Sequence, residues 1–236
     1  MISTHLKAAT LIAAGACLAT PVLADGHSNA KAKGYYGFVT GGASLDSRLN
    51  YDGLIGGNPN SVDNDFDSGS QFSLGFGKNI NAWSTSKVGL RAEFELATSE
   101  NDADSIFFSG NGPAAEVNVS GGVRTTAIFA NVLADFKNKS AFTPFVGGGL
   151  GIGHVSQNLF YGPGVTINES DDVLAAQLIA GISYAATDKI TLTADIRHRE
   201  FFNVSSSRLA PTGANTGTVS GNLGNTSLNL GLRLAF

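Results

Sequence analysis

Cysteine is almost absent from the 236 residues. It occurs once, as Cys17, so no disulfide can form within the chain. Basic residues are not in surplus. Lys and Arg number 15 against 19 Asp and Glu, a formal net charge of −4, which excludes a nucleic-acid-binding surface on electrostatic grounds. No apolar run is long enough for a spanning helix: the longest, residues 8–18, falls short of the roughly 20 residues a bilayer requires. After residue 33 no segment reads as an amphipathic helix, and no low-complexity linker divides the chain. The length fits a single domain.

The beginning of the chain reads as a cleavable signal peptide, residues 1–24. His5 and Lys7 precede the short apolar run. Thr20 and Pro21 break it, and Val22, Leu23 and Ala24 supply small residues before Asp25. Ala14-Gly15-Ala16 before Cys17 is a weaker match to a lipoprotein signal. Residues 25–33 read as a short periplasmic leader, and residues 34–236 as one β domain.

What fills that domain is alternation. At the end of the chain Leu228, Leu230, Leu232, Leu234 and Phe236 alternate with polar or small residues, a period of two that gives a strand one wholly apolar face. Seven earlier runs repeat the pattern. They centre on Val39, Leu74, Leu90 to Leu96, Ile128 to Phe136, residues 142–154, Leu174 to Tyr184, and Ile190 to Ile196. The apolar faces carry no charge although 14% of the residues are charged. A charge facing lipid at the bilayer midplane costs about 2–4 kcal/mol, which explains such an exclusion. The connections alternate between long polar stretches (46–68, 98–122, to 172, and 201–222) and short turns, as in transmembrane barrels with short periplasmic turns and longer outside loops. The expected fold is all-β: an eight-stranded antiparallel up-and-down transmembrane β-barrel in a Gram-negative outer membrane, with both termini periplasmic.

Thr-Pro-Phe-Val-Gly-Gly-Gly-Leu-Gly-Ile-Gly (143–153), Gln177 in its apolar run, Thr187-Asp188-Lys189, and the Leu-Arg-Leu-Ala-Phe end together resemble the opacity-type, outer-membrane-protein-A-like eight-stranded barrels. Surface antigens of α-proteobacteria are similar. The resemblance implies a structural or surface-interaction (adhesin- or antigen-like) protein. Its partners would be outer-membrane lipids and lipopolysaccharide, the β-barrel assembly machinery and periplasmic chaperones during biogenesis, and an extracellular ligand of the loops. The terminal residues Leu228, Leu230, Leu232, Leu234 and Phe236 resemble the signal that the assembly machinery reads. No cofactor is implied.

The faces opposite the apolar ones place Arg91, Glu93, Glu95, Asp135, Asp195, Arg197, Arg199 and Arg233 inside the barrel. Eight strands leave an interior just wide enough for side chains to fill. Four cations and four anions there read as an ion-pair network that plugs the lumen, because buried charges need partners and arginine's planar fork suits carboxylates. The alternative is a narrow gated ion path through the same network. A lipid A hydrolase is disfavoured. The His-x-Ser pair that such barrels place near the outer end of the penultimate strand is replaced here by Arg197-His198-Arg199-Glu200. His154 and Ser156 share a face but have no stronger warrant, and no catalytic residue is assigned. Asp63, Asp65, Asp67 and Gly69 resemble the start of a calcium loop, but the glycine falls one position late and Leu74 stands where a closing Glu is required. No metal ligand is assigned. Tyr35, Tyr36, Trp83, Phe136, Phe142, Tyr184 and Phe236 read as interfacial aromatics.

Overall fold

The computed structural model describes residues 34–55, 57–110, 119–161, 165–209 and 212–236. The signal peptide and leader expected over residues 1–33 lie outside the described residues. Nine strands follow in order: β1 (Tyr35–Ile55), β2 (Asn58–Phe66), β3 (Gly69–Asn79), β4 (Val88–Gly110), β5 (Val119–Phe136), β6 (Phe142–Tyr161), β7 (Val165–Ala185), β8 (Ile190–Leu209) and β9 (Asn215–Ala235), with a single helical turn at Asn81–Trp83. All pairings are antiparallel between neighbours, and β1 pairs with β9, closing the sheet. β2 and β3 together form one wall position. β2 pairs with the far half of β1 and with β4, β3 with the near half of each, and only Asp67 and Ser68 interrupt them. The barrel therefore has eight walls.

The long polar stretches are where the structure departs from expectation. They are not loops. β1, β4, β6, β7, β8 and β9 each run 20–23 residues, about twice the 9–11 residues that cross a bilayer. The ladder continues through the stretches assigned to loops, except between β7 and β8, where pairing lapses from Ala175 and Phe201 up to Thr166 and Leu209 and the Asp171 and Glu169 carboxylates accept from the backbone N–H groups of Ser205 and Ser207. Along this extension the polarity inverts. In the lower half Leu74, Leu96, Ile152, Leu178 and Leu230 point outward, and polar side chains such as Glu95 and Gln177 are buried inside. In the upper half Leu49, Tyr51, Leu159, Val204 and Leu223 are buried inside, and Arg48, Asp63, Glu100, Arg124 and Asp172 face out. The physical reason is a change of solvent. Lipid outside demands an apolar exterior, whereas water outside demands an apolar interior.

The sequence carried a mark of this inversion. In β7 the outward apolar residues occupy even positions from Tyr184 to Leu174, and the apolar residues beyond them, Val173 and Ile167, fall on odd, inward ones. In β9 they switch from Leu228 to Leu223 and Val219. The apolar phase of a period-two pattern shifts by one residue while the strand itself continues.

Candidate functional site in the barrel lumen

Two charged clusters sit one above the other in the lower lumen, each built where inward positions of neighbouring strands meet. In the lower one Arg91 is paired with Glu93, and its Nε lies 3.1 Å from Asp135 Oδ1. Tyr36 donates to Glu93 Oε1 at 2.7 Å, and Arg91 Nη1 donates to the Tyr36 hydroxyl at 3.3 Å. Tyr36 thus faces inward and is buried, which corrects its assignment to the interfacial girdle. Arg233 stacks on its ring, with guanidinium carbon and ring centre 5.6 Å apart.

The upper cluster centres on Glu95, which is fully buried. Its carboxylate pairs with Arg197 and accepts from Arg199 at 3.0 Å, Asn131 at 2.8 Å and Gln177 at 3.0 Å. Arg197 Nε donates to Asp195 at 2.7 Å, and Asn229 donates to the same oxygen at 3.1 Å. Gln177 also bridges Asn131 and Arg199. Asn131, Gln177 and Asn229 were not assigned to the charge network from the sequence. Their signal was available, since each occupies the inward phase of an alternating run.

A cavity of about 20 Å³ lies among Arg91, Glu93, Asp195 and Arg197, room for about one water. Below it the lumen opens into a mouth of about 320 Å³ beside Tyr36, Asp135, Lys189 and Arg233.

From the level of Glu95 upward large apolar side chains enter the lumen among buried polar ones, including Ser99, Asn101, Thr125 and Asn225. Phe129, Phe201, Val155, Leu159, Leu49 and Leu223 have no exposed surface and form one cluster across the barrel. Space for them comes from the glycine row of β6. A Cβ on Gly153 would stand 2.4 Å from the Phe201 ring, and one on Gly149 1.9 Å from the Asn131 side chain. These glycines are inward positions left empty for large side chains of other strands. Tyr51 crosses the apolar layer, bonding to Gln157 and lying 3.0 Å from Ser206 Oγ. Burial pushes its phenol above the usual range, so it stays protonated as a donor.

Other candidates resolve as follows. Asp63 and Asp65 lie on β2, where an extended backbone spreads them along the wall. Between them Asn64 turns inward and donates to Leu49 O at 2.9 Å. A strand cannot wrap a cation, and among the described residues no group of three or more potential ligands converges. His154 and Ser156 both face outward, and His154 Nδ1 lies 2.7 Å from Asp172 Oδ1. In the segment 197–200, Arg197 and Arg199 point inward while His198 and Glu200 lie on the outer wall. Leu228, Leu230, Leu232, Leu234 and Phe236 all face outward. The backbone N–H of Phe236 donates to Tyr35 O at 3.1 Å, so the last residue takes part in closing the barrel.

A closed antiparallel barrel with an apolar outer belt and a polar lower lumen defines a membrane-spanning β-barrel. The chain belongs to the outer membrane protein beta-barrel domain family, whose model matches residues 10–236, and that family indicates the Gram-negative outer membrane. It is 33% identical over 102 residues to outer membrane protein PagN of Salmonella typhimurium. That match covers 41% of this chain and 43% of PagN, less than half of the relative's length. The outer membrane protease OmpT of Escherichia coli superposes with a TM-score of 0.52 at 10% identity, covering 87% of this chain and 98% of that one. Neisserial surface protein A gives 0.49 at 18% identity, over 86% and 97%. At such identities the likeness concerns the fold alone.

Proposed function

We propose that this chain is a closed, non-conducting outer-membrane barrel of structural or surface-interaction type. Its upper half would stand outside the cell as a rigid, water-facing extension, with both termini in the periplasm. The observation that carries the reading is the double seal. An ion entering from the lower mouth meets the interlocked Glu95, Arg197 and Arg199 cluster. Beyond that it meets a buried layer in which large apolar side chains such as Phe129, Phe201 and Leu159 are interleaved with amides and hydroxyls already bonded to one another, such as Asn101, Asn225 and Ser44, so that a desolvated ion finds few free partners. A charged network alone could be gated by rearrangement; the packed layer above it removes that route. The extension supports the surface role. Its outward face is largely polar and carries both signs of charge, including Arg48, Asp63, Glu100 and Arg124, with Leu54 and Phe107 exposed among them, and its interior is filled by buried side chains, so it would meet a ligand as a preformed surface. The reading is non-enzymatic, with lipids, lipopolysaccharide, the assembly machinery and periplasmic chaperones as partners and an extracellular ligand at the extension.

Single-channel recording in planar bilayers tests it. The wild type and Arg197→Ala should both show no steady conductance, because the Phe129 and Phe201 layer remains in either. A steady conductance in the wild type that shifts on Arg197→Ala would overturn the sealed-lumen reading.

A further inference from the structure

The small cavity between the two charged clusters is surrounded by donors that the protein itself does not satisfy. Thr40, Arg91 and Arg233 all line it. Each carries a buried polar atom with no hydrogen-bond partner among the described residues: Thr40 Oγ1, Arg91 Nη2 and Arg233 Nε. All three atoms can donate, and the guanidinium nitrogens can do nothing else. Among the described residues these are the only buried guanidinium nitrogens left without a partner, and both belong to residues on one cavity.

The carboxylates of the lower lumen are shared unevenly. Glu95 pairs with Arg197 and Arg199, and Asp195 with Arg197. Glu93 and Asp135 both pair with Arg91. Arg233 forms no ion pair with any described residue; its guanidinium stacks on the Tyr36 ring instead. The cavity is therefore lined by the cations Arg91, Arg197 and Arg233 against the anions Glu93 and Asp195. Asp135, which balances the count over the whole lower lumen, opens onto the mouth below. Phe38, Leu133 and Phe145 complete the lining and keep bulk water from screening the surplus positive charge.

We propose that this cavity binds a monatomic halide, chloride under cellular conditions, held by Arg91, Arg233 and Thr40. The ion accepts from all three donors at once and balances the charge of the lining. One water would accept from both guanidinium nitrogens, but it adds no charge, so the cost of desolvating Arg233 would stay uncompensated. A polyatomic oxyanion is too large for a space of about 20 Å³, and a cation meets a surplus of its own sign. Arg233 lines both this cavity and the mouth below it, so the ion exchanges past its side chain while the packed layer above stays shut. The donors come from β1, β4 and β9, and β1 and β9 are the pair that closes the barrel. Phe38 is paired with Arg233 itself, and Thr40 with Gly231. A halide bound there stabilises closure.

Equilibrium urea unfolding of the full-length barrel in lipid vesicles tests the proposal, with sodium bromide, sodium chloride or sodium gluconate at one ionic strength. Gluconate is too large to enter. The wild-type midpoint should be higher in either halide than in gluconate. Above the dissociation constant, each tenfold rise in halide should raise the folded-to-unfolded ratio about tenfold. Thr40→Val keeps the shape and loses one donor, and should weaken halide binding about tenfold. Arg233→Gln removes the charge and should abolish the halide-dependent rise. Each variant is compared with itself across the salts, so its own loss of stability does not enter. Lys137→Gln removes an exposed cation from a short turn and should respond as the wild type does. Crystals grown in sodium bromide should show an anomalous peak in the cavity. A midpoint indifferent to halide, a halide response shared in full by Thr40→Val and Arg233→Gln, or a cavity holding only water in the bromide crystals would each overturn the proposal.

Discussion

Glu95→Gln is the most informative single perturbation of this barrel. Glu95 is fully buried and faces two guanidinium groups, Arg197 and Arg199, with Asp195 as the other anion of the cluster. The wild-type cluster is balanced, two charges of each sign. The amide leaves two cations sharing one carboxylate, in a section of lumen with room for about one water nearby. Removing one member of a buried ion pair costs about 3–5 kcal/mol, because the remaining charge keeps its desolvation penalty and loses its compensation. Equilibrium urea unfolding in lipid vesicles measures this, followed by the fluorescence of Trp83, which is the only tryptophan and is exposed at a short turn. The double variant Glu95→Gln/Arg199→Gln restores the balance of charge. It should recover about 2 kcal/mol relative to the sum of the two single variants. A loss below about 1 kcal/mol for Glu95→Gln, as for exposed pairs, would show that the lumen is hydrated at this level, and the reasoning for a sealed interior would fail.

Two further outcomes follow from the packing. Gly153→Val places a branched side chain where the Phe201 ring already stands 2.4 Å from the added Cβ. Overpacking of this kind costs about 1–3 kcal/mol, read as a lowered urea midpoint, and Phe201→Ala in the same chain should relieve part of it; a midpoint unchanged by Gly153→Val would mean that the apolar layer is loose. Deleting Phe236 removes an exposed aromatic and the backbone bond to Tyr35 O. It should reduce the amount of folded, heat-modifiable barrel in the membrane fraction, and wild-type levels there would show that the terminal residue is dispensable for assembly.

The belt was legible in the sequence because period-two alternation is a local property. Leu228 to Phe236 and the run from Ile190 to Ile196 announce their outward faces without reference to any partner. The inward positions of Arg91, Glu95, Arg197 and Arg199 followed from the same alternation. Their partners did not. Glu95 meets Arg199 across 104 residues of sequence, and only strand register and barrel closure decide that distance. The extension above the belt was misread as loops for a related reason. Its outward face is Ser, Asn, Asp and Gly-rich, as loops are, and its apolar residues are spaced out on the opposite phase. Tyr36 was misplaced because two adjacent tyrosines, Tyr35 and Tyr36, necessarily face opposite sides of a strand, and composition alone does not say which goes in.

Composition and alternation by themselves determined the fold class, the apolar outer belt and the set of inward charges, because each depends on the solvent that one face of one strand meets. Tertiary structure alone decided that the strands run on beyond the belt, that the ionic clusters of the lower interior give way to mixed apolar and neutral polar packing above, and that Gly149 and Gly153 are spaces filled by Asn131 and Phe201. Those features arise only when closure brings eight walls to a common axis. There the volume and charge of every inward side chain must be matched to neighbours that lie far away in the sequence.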